Sequence, residues 1–317
     1  MKQRHSIKIS GVSLRLILSL FINCLLLTSL CHHSLAQPYD DAAVLLRKYT
    51  TLIPLLSHNQ FQRPLYMESS ESPSNLKGDI YAVVDYPFSD INNTLNDPEL
   101  GPANWCDVLM LHLNIKYCHA VSDRKAKSLS VEIGKKVDQP FSGPYRVEYN
   151  YHLDFVSPNY FRVNLNAERG PLGTRDYRIS LEAVAIDGTH TFLHLTYSCS
   201  YGRAVRMAMK TYLALAGSSK AGFTIISRRS NGEAVYLSGV RGVMERNVMR
   251  YYLAIDAYLK SLSLPAEDRL EKRLSSWFSA TAIQVATARG GTAGIHADET
   301  RCIPAPAYRS IVEFRFR

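Results

Sequence analysis

In the segment YRVEYNYHLDF, Tyr145, Val147, Tyr149, Tyr151, Leu153 and Phe155 alternate with Arg146, Glu148, Asn150, His152 and Asp154. A period of two sets the first group on one side of an extended strand and the second on the other, which predicts a half-buried strand. MLHLNIKYC repeats the pattern, with Leu111, Leu113, Ile115 and Tyr117 against His112, Asn114, Lys116 and Cys118, and SLSVEIG does so with Leu129, Val131 and Ile133. YFRVNLNAERG, RDYRISLEAVAI and HTFLHLTYSCSYG supply three more strands, the last two joined at the hairpin signal Asp187-Gly188. GDIYAVVDYPF precedes them, separated by a stretch from Ser89 to Trp105 whose turn and cap formers suit short helices. Clean alternation of this kind marks antiparallel sheet, so the prediction is seven strands in a curved meander.

Helical spacing dominates the flanks. YDDAAVLLRKYTTLIPLLS reads as an amphipathic helix, followed by SHNQFQRPLYMESSESPSNLKG, which reads as a polar connection. After the meander come the helix RAVRMAMKTYLALAG, a short hairpin turning at Asn231-Gly232, and RGVMERNVMRYYLAIDAYL. In this last helix Val240, Val243, Val248, Tyr251, Ile255, Tyr258 and Leu259 form an apolar stripe, but Asn247 and Arg250 sit on or beside it. A plain core helix would not choose those two groups. Glu245 with Arg241, and Asp256 with Lys260, are spaced one turn apart and read as surface ion pairs. PAEDRLEKRLSSWFSATA predicts one more helix, with Leu270, Leu274, Trp277 and Phe278 on one face, and periodicity ends beyond Gly290-Gly291.

The order of these elements resembles the START-like superfamily, the lipid-transfer and pollen-allergen group with the helix-grip fold, over residues 78–260. WCDVLMLHLNIKYC, GTHTFLHLTYSCSYG and VRGVMERNVMRYYLAIDAYL also resemble a group of secreted proteobacterial proteins. The resemblance implies an α+β architecture in which a seven-stranded curved antiparallel sheet wraps the long late helix over a cavity. The division expected is a signal segment 1–36, a helix and linker 37–77, the START-like domain 78–260 and a C-terminal helix and irregular tail 261–317.

Charge and cysteines place the chain in a compartment. Lys2, Arg4, Lys8 and Arg15 precede the apolar run LILSLFINCLLLTSL, and the small-residue stretch SLA ends at Ala36, the pattern of a cleaved secretory signal. That segment carries four of the 37 basic residues and none of the 28 acids, so the net charge of +9 falls to 33 minus 28, or +5. Export implies a periplasmic or secreted location, where disulfides persist. Cys106, Cys118, Cys199 and Cys302 remain and admit three connectivities, of which a Cys106–Cys118 bridge is the favoured short closure.

Catalytic motifs are nearly absent. Ser122 and Lys125 form an isolated Ser-x-x-Lys without companion motifs, and no nucleophile elbow, zincin, phosphate-loop or dinucleotide fingerprint occurs. His190 and His194 would lie about 13 Å apart on a strand, too far to share a metal ion. His112, His152 and His194 occupy the polar side of their strands and read as solvated. Scattered basic residues on an exported chain disfavour nucleic acid. Leu274, Trp277 and Phe278 beside Lys272 and Arg273 suggest a peripheral membrane contact. Within a helix-grip cavity, Tyr149, Tyr151, Tyr197, Asn247, Arg250 and Tyr251 would bind a hydrophobic small molecule or lipid, with no cofactor, metal or covalent chemistry. Two other classes compete: a cyclase- or isomerase-type enzyme using Tyr149, His152 or Arg250, and a non-catalytic envelope interaction module.

Overall fold

The computed structural model describes residues 37–122, 127–134, 145–216 and 221–288. The signal segment with its cleavage point, Lys125, Cys302 and the tail beyond residue 290 lie outside the described residues. In chain order the elements are α1 (Gln37–Ser57), β1 (Leu65–Glu71), β2 (Asn75–Val84), α2 (Phe88–Leu95), α3 (Gly101–Leu109), β3 (Ile115–Ser122), β4 (Lys127–Ile133), β5 (Tyr145–Ser157) and β6 (Tyr160–Arg169). There follow β7 (Arg175–Ala185), β8 (Thr191–Ser200), α4 (Arg203–Ala216), the hairpin β9 (Ile225–Arg228) and β10 (Ala234–Tyr236), α5 (Gly239–Leu259) and α6 (Ala266–Ala288).

The architecture is the α+β helix-grip arrangement, with eight strands where seven were expected. The sheet runs β1-β2-β8-β7-β6-β5-β4-β3 and every pairing is antiparallel. The added strand is β1, inside the segment read as a polar connection. Leu65 and Met67 are buried at alternate positions, but Ser69 to Glu71 then turn polar, so the apolar signal lasts less than half the strand. An edge position tolerates that composition because only one side of the backbone needs a partner.

Alternation gives the sheet two covered faces. On β8, Leu193, Leu195, Tyr197 and Cys199 join the main core, and Phe192 joins a second cluster beneath α1. Helix α1 buries Ala42, Leu45, Leu52 and Leu56 against Tyr81, Tyr160, Val184 and Phe192 on the outer face. On the inner face α5 packs along β1, β2 and β8. Gly78 permits the close approach: a Cβ there would stand 3.0 Å from Met244 Cγ and Val248 Cγ1.

The two short helices expected between the first strands carry the chain from β2 to β3, at the far edge of the sheet. The Cys106–Cys118 disulfide joins α3 to β3 across a separation of 12 residues. Cys199 is a buried free thiol. Strand β3 starts later than alternation suggested, at Ile115, because Met110 to Asn114 form a turn with Leu111 N bonded to Val108 O and His112 N to Leu109 O. A bulge between Ile115 and Tyr117 then reverses the faces. Tyr117 is exposed, and Cys118 packs against the core.

Two ion-pair expectations separate. Lys260 meets Asp256 at 2.8 Å, and Asp256 also takes Arg63 at 3.2 Å. Glu245 is fully buried and is not paired with Arg241. It accepts hydrogen bonds from Phe223 N (2.7 Å), Thr224 N (2.9 Å), Thr224 Oγ1 (2.7 Å) and Ser69 Oγ (2.8 Å), and so fastens the β9–β10 hairpin and β1 to α5. Arg241 reaches Ser69 O instead, at 2.7 Å.

Candidate functional site

Four tyrosines from four elements meet on the inner face: Tyr149 of β5, Tyr177 of β7, Tyr197 of β8 and Tyr251 of α5. The Tyr197 ring lies 5.0 Å from Tyr251 and 6.1 Å from Tyr177, centroid to centroid. The sequence dictates this meeting. Period two in each strand turns Tyr149, Tyr177 and Tyr197 the same way, and α5 turns Tyr251 down from the helix. Aromatic rings in tilted contact fix one another's orientation. The Tyr177 hydroxyl is 2.9 Å from Thr174 Oγ1. Among the described residues the Tyr149, Tyr197 and Tyr251 hydroxyls make no hydrogen bond, although all three residues are buried.

Burial also sets their protonation. It raises the Tyr149 and Tyr197 phenols well above the ordinary value, and neighbouring phenols add to the effect. Tyr251 is raised by burial too, against a smaller opposing pull from Arg250. Burial pushes Tyr177 up to about 12 and the nearby Cys199 thiol up to about 11. Each therefore stays neutral at physiological pH and is a donor. An uncharged donor in a dry apolar setting can hold a carbonyl, ester or hydroxyl oxygen, because an unmade hydrogen bond there is costly. None of them serves as a base.

The other expected residues divide. Tyr151 is buried, but its hydroxyl already donates to Leu95 O (3.2 Å) and Asp97 O (3.1 Å), tying β5 to the α2–α3 connection. Asn247 and Arg250 are half-buried and touch, Arg250 Nη1 donating to Asn247 Oδ1 at 3.3 Å. His152 is exposed.

His112 contradicts the solvated reading. It is buried, and its ring stacks on Tyr251 at 4.9 Å. The turn at Met110–Asn114 releases His112 from strand alternation and delivers it to the interior. Asn114 N donates to His112 Nδ1 at 3.2 Å, which makes that nitrogen an acceptor.

His194 is also enclosed, on the opposite face. Its Nδ1 is 2.7 Å from Glu182 Oε2 and its Nε2 is 2.9 Å from Asp79 Oδ1. Thr196 Oγ1 and Lys77 complete the contacts of Asp79, and Tyr160 and Arg162 those of Glu182. Asp41 of α1 meets Arg162 at 3.4 Å, and Tyr81 stacks on the His194 ring at 4.2 Å. Burial opposes the charge on His194, but its two carboxylate partners overcome that and raise its pKa. Glu182 is held down to about 2 by His194 and Arg162, against its burial. Charge is balanced and the partners are mutual, so this cluster fastens β2, β6, β7 and β8 together beneath α1.

An open groove of about 340 Å³ lies elsewhere on the outer face, between α1 and the β7–β8 turn, lined by Tyr49, Ile53, Val83, Ile186, Asp187 and His190 among others. Its polar end is self-contained: Asp187 accepts from Thr189 N and His190 N, each at 2.8 Å. No group of three His, Cys, Asp or Glu suited to a metal ion occurs among the described residues.

The membrane contact expected on α6 is not available. Trp277 and Leu274 are buried in the core and Arg273 is buried too, donating to Asp107 Oδ2 at 2.6 Å and lying 4.4 Å from the Tyr258 ring. No helix among the described residues is long and apolar enough to cross a membrane.

No family model matches the chain, and no curated protein matches it. Among solved structures it is similar to truncated norcoclaurine synthase from Thalictrum flavum, with 14% identity over 47% of this chain and 92% of that one, at a TM-score of 0.31. It is also similar to human StAR-related lipid transfer protein 5, with 7% identity, 52% and 83% coverage and a TM-score of 0.28. The Zhui aromatase/cyclase from Streptomyces sp. R1128 has 10% identity, 72% and 100% coverage and a TM-score of 0.27. Similarity of that degree carries no residue-level correspondence, and the fold stands on the sheet and helices described above.

Proposed function

We propose that the chain is an exported binding protein that holds a hydrophobic small molecule or lipid against the inner sheet face, beneath α5. The observation carrying this reading is that three buried tyrosines, Tyr149, Tyr197 and Tyr251, come together while their hydroxyls make no hydrogen bond to a described residue. Phenols in a packed core normally find acceptors. Three that do not, from three separate elements, suit a ligand oxygen that is bound and released. Asn247 and Arg250 stand one turn or less from Tyr251 on α5 and would orient a polar end. The Cys106–Cys118 disulfide supports an oxidising, exported location.

The competing enzymatic reading draws on the same donors, since a neutral phenol can polarise a carbonyl. It lacks a base at hand: Cys199 and the phenols are held protonated, and His152 points to solvent. His112 is the group that would have to serve. Solvent extraction and native mass spectrometry of protein purified from the exporting cell's envelope test both. A stoichiometric, chemically unaltered co-purifying compound is the expected result. Protein that carries no compound and takes up no apolar probe overturns the binding reading.

A further inference from the structure

Helix α4 stands between the last strand of the sheet and the β9–β10 hairpin, and it differs from the other described helices in two ways. It contains no acidic residue, and none of its described side chains is buried. Val205, Met209 and Leu213 rest partly buried against the core. At about 100° per residue, Ala204, Met207, Ala208, Thr211, Ala214 and Leu215 occupy the opposite sector, which faces solvent and carries no charge. Met207 is 73% exposed and Leu215 82%. Tyr212, 56% exposed, borders that sector on one side. Arg203 and Lys210 border it on the other; Glu71 takes Arg206 at 3.0 Å and Lys210 at 3.8 Å, so one carboxylate faces the helix's three cations. The β6–β7 turn lies alongside, since a Cβ on Gly173 would stand 3.2 Å from Val205, and its Leu172 is 82% exposed.

An apolar stripe of this length in water is unfavourable unless something covers it. We propose that the outer face of α4, continued by Leu172, is a docking surface for an anionic lipid bilayer. The stripe would sit among the acyl chains near the headgroups, with Arg203 and Lys210 reaching back to phosphate from the flank, the arrangement of interfacial helices. Charge decides between this and a second copy of the chain. Two α4 faces brought together would set Arg203, Arg206 and Lys210 of each helix among like charges with only Glu71 beside them to answer, whereas anionic headgroups supply the opposite sign along the whole flank. The surface is distinct from the tyrosine cluster, and its test does not depend on what the interior holds.

The full chain is co-sedimented with vesicles of phosphatidylcholine alone and of phosphatidylcholine mixed with phosphatidylglycerol. Binding to the mixed vesicles that weakens with salt is expected, with little binding to the neutral ones. The double substitution Met207→Ser with Leu215→Ser should reduce that binding by at least about tenfold, since two large apolar side chains leave the lipid. Both positions are exposed, so the thermal transition of the variant should be unchanged, and Arg203→Gln with Lys210→Gln should remove the preference for anionic vesicles. Failure of the wild type to sediment with the mixed vesicles overturns the proposal. So does equal binding by the serine variant. Self-association of the wild type that the serine variant abolishes, without vesicle binding, assigns the patch to a second copy instead.

Discussion

The two faces of the sheet use polar side chains in opposite ways. On the outer face of β8, His194 lies between two carboxylates, and these in turn hold Lys77, Thr196, Tyr160 and Arg162. Three residues further along the same strand, Tyr197 turns inward and its hydroxyl makes no hydrogen bond to a described residue, and Cys199, two residues beyond it, is a neutral thiol. Period two separates the faces completely, so one strand can contribute to both without compromise. The lesson is that burial alone does not mark a site. Buried polar groups with mutual partners hold the fold, and the tyrosine hydroxyls of the inner face are the ones that the proposed ligand would engage. His194 has the charge and the acids that catalysis would want, but its partners are all engaged.

The largest way to break this contrast is at Glu182. Its replacement by Ala strands His194 and Arg162 under α1, and removing one member of a buried charged set costs about 3–5 kcal/mol. A fall in the thermal midpoint of roughly 10 °C is expected for a chain of this size. A shift of a degree or two would mean that water reaches the cluster and that the outer face is not the clamp described. The substitution should leave retention of a bound compound by the inner face unchanged in whatever fraction stays folded.

The same cluster makes a pH signature. Glu182 and Asp79 are both held below their usual range, so the stability they supply is complete above the carboxylate range of roughly pH 4–5 and is lost as pH falls towards about 2. His194 is raised, so its share is complete below roughly pH 6.5 and is lost as pH climbs through the higher folded value. Chemical denaturation across pH should therefore give a maximum between those limits. In His194→Gln the alkaline decline should disappear. If wild type and variant decline alike above neutrality, the titrating group lies elsewhere.

The strands of the meander were legible because a single residue of slip would turn every side chain to the wrong face, so the pattern has to be strict. Periodicity grouped Tyr149 and Tyr251 with the apolar side of their elements, and the resemblance to the helix-grip fold implied that this side, with Tyr197, faces inward. Strand β1 was not legible: only Leu65 and Met67 carry its apolar signal, and pairing with β2 supplies the remaining order. His112 was hidden by a local event. A turn followed by a bulge breaks the register between Leu111 and Tyr117, and alternation extrapolated through it places His112 on the wrong side. Glu245 and His194 were misjudged for a different reason. Helix spacing pairs Glu245 with Arg241, and strand spacing exposes His194, but tertiary partners 176 residues away at Ser69 and 115 residues away at Asp79 override both. Tyr151 shares its strand and face with Tyr149, and nothing in its spacing tells that its hydroxyl ends on two carbonyls.

That last pair gives the finest test of the contrast. Tyr151 and Tyr197 are both buried tyrosines of the inner face, and replacement by Phe removes one oxygen from each. At Tyr151 the loss releases Leu95 O and Asp97 O, and a hydrogen bond of this kind is worth about 1 kcal/mol. Tyr151→Phe should therefore lower stability by about that amount and leave the affinity for an interior compound alone. At Tyr197 no partner is stranded, because its hydroxyl makes no hydrogen bond to a described residue. Tyr197→Phe should hold stability within about 0.5 kcal/mol or raise it slightly, while binding of an oxygen-bearing compound weakens about tenfold. Equilibrium unfolding and ligand titration on the two variants separate the roles. If Tyr197→Phe is the less stable of the two, its hydroxyl has a structural partner, and the inner face is a satisfied core like the outer one.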